Sequence, residues 1–416
     1  MKILYTNIGW RPASGLGGPI VSVAAAAERL VRRGHEVTVF TTNAGIDDKQ
    51  RVPLDQPVDV EGVKVWYFRR LEIINQFLPF LPYMSDSMGF AYAPRIRAEL
   101  DRLVPLVDCV DTQSPFIYPA LAAARAAIRF NKPLFYHQRG NLLSSHLQRR
   151  TFKKKLFIKL FEQRSLVSAT TVIALNEAER CAYARFAPET HCEIVPNGID
   201  MPAELDRNGA AARLLISLGI PTDAQVILYL GRVHPWKRVQ VLLDAFLRMA
   251  SQFPRAVMVI AGPEGEWLQA KWAAMDRGGV AHDRVVFTGS VYGDFKRDLL
   301  DRADLFSLPS CGEGLSMALL EAMSHAVPVI ISPECNFSEV ETANAGRVID
   351  ANAYQMADAM SAMLADDGAR LSAGLSARKF ASNYSWDPII DRLIEVYMEG
   401  IERNRRKVSG RRRLRS

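Results

Sequence analysis

Residues 308–332 read LPSCGEGLSMALLEAMSHAVPVIIS, and this stretch decides the fold class. Two apolar runs of the buried-strand type flank a loop that contains glycine and a helix that Ser316 can cap. Glu313 lies at the mouth of the helix, and Glu321 lies about two turns further along it. Unpaired amides at a helix amino terminus bind anions, and a carboxylate deeper in the helix can accept hydrogen bonds from a ribose diol. The stretch therefore predicts either a phosphate-and-ribose site or an ordinary strand–turn–helix of an α/β sheet.

The same alternation of strands and helices runs through the whole chain. It opens with the apolar run KILYTNI, a loop with three glycines and an alanine-rich helix, and it restarts after the turn Pro196-Asn197-Gly198. At 416 residues the chain is too long for one compact core. The sequence therefore predicts an α/β protein with two similar domains. The predicted segments are a first domain over 1–195, a second over 196–385, a helix over 386–402 and a basic tail over 403–416.

Composition excludes several classes of protein. Hydrophobic residues make up 49% and charged residues 23%, which is typical of a folded globular protein. Five scattered cysteines without C-x-x-C spacing argue against a disulfide framework and a structural zinc. The sequence shows neither a signal peptide nor a membrane span, so we expect a cytoplasmic protein.

Two cations accompany the candidate anion site. Arg232 and Lys237 follow the predicted strand QVILYL and precede a helix, so they are expected on the ligand-binding edge of a parallel sheet. Cations at that edge can neutralise a diphosphate from a second side. The sequence thus predicts that both cations and the helix amino terminus act on one anion.

The first half offers a weaker set of candidates. His137 ends a predicted strand, and Arg139 and Asn141 follow it at an edge where polar groups face a ligand. His137 is either a ligand-facing group or a structural histidine. The glycine-rich loop lacks the third glycine of a dinucleotide fingerprint because Ile20 holds that place, which disfavours NAD binding.

Two basic segments each leave alternatives open. Residues 152–166, FKKKLFIKLFEQRSL, form a basic amphipathic helix that either packs on the sheet with its lysines outward or rests on anionic lipid. Residues 403–416 carry eight Arg or Lys residues and no acid. This tail is a solvated frayed end, a contact for an anionic membrane or a contact for nucleic acid.

Taken together and in order, the motifs resemble the retaining glycosyltransferases of family 4, which have the GT-B fold. The residues that carry the resemblance are Pro196-Asn197-Gly198-Ile199-Asp200, Gly231-Arg232 with Lys237, Glu313-Gly314-Leu315-Ser316 and Glu321-Ala322. The spacing from Glu313 to Glu321 is that of the family's E-x7-E motif. The resemblance covers nearly the whole chain and implies two Rossmann-like domains facing each other across a cleft.

The resemblance also implies roles for individual residues. Arg232 and Lys237 neutralise the diphosphate of the donor, Glu313 lies beside the sugar ring, and His137 lies near the transferred sugar. Arg139 and Asn141 belong to the acceptor side. The implied donor-binding residues are Gly17, Gly18, Asn197, Gly262, Val291, Gly314, Leu315, Ser316 and Glu321.

The implied reaction moves a sugar, with retention, from a UDP- or GDP-sugar to a glycan or a lipid-diphosphate-linked acceptor. The implied type is a bacterial enzyme of exopolysaccharide or O-antigen synthesis, at the inner face of the cell membrane. We expect no essential metal, since the nearest pattern to a D-x-D motif, Asp59-Val60-Glu61, lies in a predicted turn. We also expect no cofactor and no nucleic-acid partner. The alternatives are an inactive homologue that binds nucleotide sugar and, with less support, an NAD-dependent oxidoreductase.

Overall fold

A computed structural model of the chain divides it into two compact units. The first unit comprises Met1–Gly198 and Trp386–Ser416, and the second comprises Ile199–Ser385. The first unit thus extends to Gly198, where the prediction ended it at residue 195. The structure describes residues 1–13, 18–46, 51–71, 90–148, 151–274 and 282–413.

An eight-stranded sheet forms the centre of the first unit. Its strands are β1 (Lys2–Thr6), β2 (Glu36–Thr42), β3 (Pro57–Val60), β4 (Val63–Phe68), β5 (Cys109–Gln113), β6 (Leu134–His137), β7 (Thr171–Ala174) and β8 (Cys192–Ile194). The order across the sheet is β3-β4-β2-β1-β5-β6-β7-β8. The pairs are parallel except β3 with β4, which is antiparallel. Asp59 therefore lies in an edge strand rather than in the predicted turn.

Helices cover both faces of this sheet. They are α1 (Gly18–Arg32), α2 (Arg95–Leu103), α3 (Tyr118–Arg129), α4 (Ser144–Gln148), α5 (Thr151–Phe157), α6 (Gln163–Ser168) and α7 (Glu177–Ala184). Successive side chains of a strand point to opposite faces, so Ile3 and Tyr5 enter one apolar cluster while Leu4 enters the other. Burial on both faces explains why these strands read as continuous apolar runs.

The basic amphipathic segment differs from its prediction as one regular helix. A π-helical turn, Ile158–Glu162, separates α5 from α6. Phe157 and Ile158 are buried, whereas Phe152, Leu156 and Leu160 are exposed. The segment thus packs through residues near its π turn and leaves most of its predicted apolar face open.

The last helix of the chain returns to the first unit. The sequence predicts a helix over 386–402 and a tail beyond it. The structure instead has a single helix over Trp386–Arg413, labelled α8 with the helices of the first unit. Ile390, Leu393 and Tyr397 are buried in the same cluster as Tyr5. Of the three interpretations of the tail, the frayed end is therefore wrong for residues 403–413, which are helical. This element is called the return helix below.

A six-stranded parallel sheet forms the centre of the second unit. Its strands are β9 (Gln225–Leu230), β10 (Ala256–Ala261), β11 (Val285–Gly289), β12 (Leu305–Leu308), β13 (Val329–Ile331) and β14 (Gly346–Val348). The order is β11-β10-β9-β12-β13-β14, and each pair is parallel. This is the doubly wound order of nucleotide-binding sheets, in which the direction of winding reverses between β9 and β12.

Helices of the second unit connect these strands. They are α9 (Arg207–Leu218), α10 (Val239–Met249), α11 (Glu266–Ala273), α12 (Gly293–Arg302), α13 (Met317–Ser324), α14 (Glu339–Thr342), α15 (Ala353–Ala365) and α16 (Asp367–Ala381). Residues 308–332 thus form the end of β12, a loop, α13 and β13. Ser316 caps α13, as predicted, and its hydroxyl accepts a hydrogen bond from the Leu319 amide at 3.3 Å.

Candidate functional site

The predicted donor-binding residues of the second unit lie along one edge of its sheet. Val291 follows β11, Gly262 follows β10, Arg232 and Lys237 follow β9, and Glu313 follows β12. These four strands are neighbours, and their carboxyl ends meet at the same edge. Ligands of doubly wound sheets bind at this edge, at the point where the winding reverses.

Gly262 allows two strand ends to approach closely. Its φ is +151°, and a Cβ there would lie 1.8 Å from the carbonyl oxygen of Gly231. The Gly231 amide donates to the carbonyl of Ala261 at 2.9 Å, and the Gly262 amide donates to that of Gly289 at 2.8 Å. The loops after β9, β10 and β11 are thereby joined into one surface, which only a residue without a side chain permits.

Lys237 and Glu313 form the centre of this edge. The ammonium of Lys237 donates a hydrogen bond to the Glu313 carboxylate, and both side chains are largely buried. The Cys311 amide donates to the Trp236 carbonyl at 2.9 Å, which ties the loop after β12 to the turn that carries Lys237. The pair thus spans the point of reversal between β9 and β12.

The loop after β13 holds Glu313 from its other side. The Glu313 amide donates to the Glu334 carbonyl at 3.0 Å, and the Asn336 side chain donates to the Glu313 carbonyl at 2.7 Å. Neither Glu334 nor Asn336 was predicted from the sequence, because their contribution depends on a turn that follows a different strand. The loop after β13 therefore holds the backbone of Glu313, while Lys237, which follows β9, contacts its carboxylate.

Arg232 is the more exposed cation of the site. Its Nε lies 3.5 Å from a carboxylate oxygen of Glu264, and about a third of its side chain is exposed. A surface pair of this kind contributes little stability, so the guanidinium can exchange its partner at small cost.

Glu321 is the fifth residue of α13, counted from Met317. It accepts a hydrogen bond from Lys296 of α12 at 2.8 Å. Leu315 and Ser316 are buried at the start of α13, and Gly314 is half-buried. Lys296 was missed because the contact joins two helices that are far apart in sequence.

His137 of the first unit is almost completely buried. Its Nε2 lies 3.0 Å from a carboxylate oxygen of Asp111 in β5, and its Nδ1 has no hydrogen-bond partner among the described residues. Burial lowers the pKa of His137, although the Asp111 carboxylate acts in the opposite direction. Burial therefore favours the neutral form of the ring.

Asp111 connects His137 to the return helix. Its carboxylate also accepts hydrogen bonds from Tyr397 and from the Gln113 side chain. The hydroxyl oxygens of Tyr397 and Tyr5 are 2.8 Å apart. Asp111 was not predicted, although a carboxylate in the middle of a buried strand is a signal that could have identified it.

The two predicted acceptor-side residues make contacts within the first unit. Arg139 donates to the side chains of Gln113 and Asn197, and Asn141 donates to the Gln138 carbonyl at 3.1 Å. Asn197 was predicted as part of the second domain, but the structure places it in the first unit. Gly18 begins α1, and Gly17 lies outside the described residues.

Comparison with known proteins follows the same division into two units. A family model described as "Glycosyltransferase Family 4" matches residues 16–201, and one described as "Glycosyl transferases group 1" matches residues 224–366. The chain belongs to glycosyltransferase family 4. As a family 4 glycosyltransferase it is a transferase with the two Rossmann-like domains of the GT-B fold, which confirms the predicted family and fold class.

Curated relatives of this glycosyltransferase span almost its whole length. A D-inositol 3-phosphate glycosyltransferase from Salinispora arenicola is 26% identical, over 96% of this chain and 91% of the relative. An uncharacterized glycosyltransferase from Methanocaldococcus jannaschii is 25% identical, over 97% of this chain and 99% of the relative.

Solved structures share the fold of this glycosyltransferase. Sucrose-phosphate synthase from Thermosynechococcus elongatus has a TM-score of 0.77 at 18% identity, over 96% of this chain and 98% of its own. The Anabaena protein HepE, solved in complex with UDP and glucose, has a TM-score of 0.71 at 20% identity, over 96% of this chain and 100% of its own.

The described residues show neither a metal cluster nor a membrane-spanning helix. Within the described ranges, no three His, Cys, Asp or Glu side chains lie together as a metal site. In the same part of the chain, no helix combines the length and the apolar character needed to cross a bilayer.

Proposed function

We propose that this glycosyltransferase moves a sugar, with retention of anomeric configuration, from a nucleoside-diphosphate sugar to a glycan or a lipid-linked saccharide in cell-surface polysaccharide synthesis. The observation that carries the proposal is the Lys237–Glu313 pair at the point of reversal of the second sheet. Cation, carboxylate and helix amino terminus meet there on an edge that is suited to a charged ligand.

The diphosphate is the part of the donor whose charge must be stabilised. As the bond between C1 of the sugar and the diphosphate oxygen breaks, negative charge develops on the leaving group. Arg232, Lys237 and the first amides of α13 are the groups proposed to stabilise it. The acceptor hydroxyl forms the new bond to C1, and its proton passes to the departing diphosphate.

The other predicted donor contacts complete this proposal. Glu321 takes the ribose hydroxyls, and the loops of Gly262 and Val291 hold the base through backbone groups. Glu313 lies beside the sugar ring. A solved neighbour supports a nucleotide-sugar donor, since HepE was solved with UDP and with UDP-glucose.

An anionic membrane surface is the proposed partner of the first unit. Phe152 is 79% exposed and Leu160 is 62% exposed on the basic segment, where Lys155 and Lys159 are also exposed. Apolar side chains flanked by cations are typical of helices that lie in a membrane interface. Such a position at the inner face of the cell membrane would bring the enzyme to a lipid-linked acceptor.

An activity screen tests the proposed reaction. UDP- and GDP-sugars are offered with saccharides, lipid-diphosphate-linked saccharides and, because of the curated relatives, D-inositol 3-phosphate. We expect release of nucleoside diphosphate with formation of a glycoside that retains the donor's anomeric configuration. A product of inverted configuration would contradict the proposal. Tight donor binding without turnover on any acceptor would also contradict it and would favour an inactive homologue.

A further inference from the structure

A groove on the first unit lies at the edge of its sheet opposite to His137. The segments 127–132, 167–170, 186–191 and 403–408 line it, and its volume is about 520 Å³. Three of these segments immediately precede β6, β7 and β8, so the groove lies at the amino-terminal edge of the sheet. His137 ends β6 at the opposite edge, roughly 13 Å away at about 3.3 Å per strand residue. We call this feature the basic groove.

Cations outnumber acids in the basic groove. Lys132, Arg403 and Lys407 line it, and Glu189 is the acid among its described lining residues. His191 also lines it, but its Nε2 lies 2.7 Å from the Glu193 carboxylate. The groove is therefore suited to an anion.

The return helix supplies two of these cations in a fixed geometry. Arg403 and Lys407 are four residues apart, so they lie on the same side of the helix. Arg403 donates to the hydroxyl of Thr171 at 2.9 Å, and Asn404 donates to the Asn131 carbonyl at 3.0 Å. These contacts seat the helix on the rim of the groove and orient Lys407, which forms no hydrogen bond or ion pair with a described residue.

Apolar side chains form the remaining wall of the groove. Val167, Phe186 and Val408 line it together with the cations. Val167 is also 53% exposed and directly follows the basic segment 152–166, which carries the exposed Phe152 and Leu160. Exposed apolar side chains therefore occur along α5, the π turn and α6, and the last of them, Val167, lines the basic groove.

We propose that the basic groove binds the phosphate headgroup of an anionic phospholipid while the exposed side chains of residues 152–167 enter the membrane interface. A ligand with both a phosphate and an acyl chain matches a site with cations on one wall and an apolar approach on the other. The volume lies within the range that small-molecule sites occupy. The inference deepens the membrane partner of the proposed function by naming the site and the ligand class.

Vesicle binding by two matched variants tests the groove. The full chain is sedimented with vesicles of phosphatidylcholine alone and of phosphatidylcholine mixed with phosphatidylglycerol. Lys407→Ala removes a cation that lines the groove, whereas Arg405→Ala removes an exposed cation of the same helix that does not line it. We expect Lys407→Ala to weaken binding to mixed vesicles about fivefold, and Arg405→Ala to change it little. Equal losses in the two variants would show unspecific attraction and overturn the site.

Competition distinguishes a lipid from other anions. Short-chain phosphatidylglycerol should release the wild-type chain from mixed vesicles at concentrations at which inorganic phosphate or RNA does not. Release by inorganic phosphate at the same concentration would make the groove a site for a free anion and would overturn the lipid assignment, as would equal competition by RNA. Because no donor or acceptor sugar takes part, the result is independent of whether glycosyl transfer is found.

Discussion

Lys237 and Glu313 contact each other in the structure, so the cation proposed for the diphosphate is held by a carboxylate of the same site. A bound diphosphate would share Lys237 with Glu313 and would also meet the negative charge of Glu313. The carboxylate therefore opposes binding of the nucleoside diphosphate alone, and its benefit must come from the sugar. Loss of the Glu313 charge should therefore affect nucleotide binding and turnover in opposite directions.

Replacing Glu313 with glutamine separates these two effects. For Glu313→Gln we expect UDP or GDP to bind as tightly as to the wild type or a few-fold more tightly, because a negative charge beside Lys237 is lost. Turnover should fall about a hundredfold, because a group that acts at the reacting sugar is lost. Calorimetry and a nucleoside-diphosphate release assay measure the two quantities. Glu204→Gln, at an exposed position of the same unit, is the control, and a parallel loss of affinity and turnover would contradict the assignment.

Glu321 offers a separate test at the ribose. A hydrogen bond to a charged group contributes about 1.5–3 kcal/mol, so the wild type should prefer a nucleoside diphosphate over its 2′-deoxy form by roughly tenfold or more. Glu321→Ala should remove that preference while both ligands still bind. Titration of the two ligands against both proteins gives the ratio. An unchanged ratio in the variant would remove Glu321 from the ribose.

Two buried carboxyl groups make the stability of the first unit depend on pH. Burial raises the pKa of Glu162 to about 7 and that of Glu179 also to about 7. Between the ordinary pKa of a glutamate and pH 7, the folded state keeps protons that the unfolded state has released. The free energy of unfolding is therefore highest below that ordinary pKa and falls as the pH rises towards 7. Glu162 accepts hydrogen bonds from the Phe116 amide and from Tyr136, which reduce this effect without removing it.

We expect Glu162→Gln to flatten this dependence. Its unfolding free energy, relative to that of the wild type, should improve by roughly 1–3 kcal/mol between pH 5 and pH 8, because the variant has no proton to lose. Urea denaturation at each pH measures the difference. Curves that stay parallel across this range would show that Glu162 does not titrate there.

Among the secondary-structure elements, the return helix packs on β6 through a close contact at Gly400. A Cβ on Gly400 would lie 2.4 Å from the ring of Phe135 in β6, whereas a Cβ on Gly410 of the same helix would meet no atom within 4 Å. The same substitution at the two positions therefore has opposite expected effects.

Gly400→Ala should lower the free energy of unfolding by roughly 1–3 kcal/mol, because the helix must move off the sheet or Phe135 must leave its rotamer. Gly410→Ala should be neutral or stabilise by up to about 1 kcal/mol through helix propensity. Thermal unfolding of both variants measures the contrast. Equal effects would mean that the return helix does not pack on β6 as described.

Elements with strong local signals could be predicted from the sequence. The apolar runs on either side of residues 310–328 predicted β12 and β13, and Ser316 predicted the start of α13. The extension of the return helix to Arg413 could not be predicted, because residues 403–413 are almost entirely polar. Its order depends on contacts of Arg403 and Asn404 with residues far away in sequence. The π turn likewise has no signal in the hydrophobic pattern.

At the scale of the whole molecule, the alternation of strands and helices predicted two doubly wound units, and parallel sheets then placed Arg232, Lys237 and Glu313 at a common edge. The partners of these residues were harder to predict. Lys296 reaches Glu321 from another helix, and Asn336 reaches Glu313 from another loop. Side-chain partners depend on packing between elements, which strand order alone does not specify.

Equilibrium titration shows directly whether the second unit binds a nucleoside diphosphate through Lys237. UDP and GDP are titrated into the wild type, into Lys237→Ala and into Lys271→Ala, whose lysine lies on the same unit and contacts Gln240. We predict saturable binding of one nucleotide by the wild type and by Lys271→Ala, and binding at least tenfold weaker by Lys237→Ala, since a charge-assisted contact is lost. Equal affinity of all three proteins would remove Lys237 from the diphosphate site, and binding of neither nucleotide would rule out the site itself.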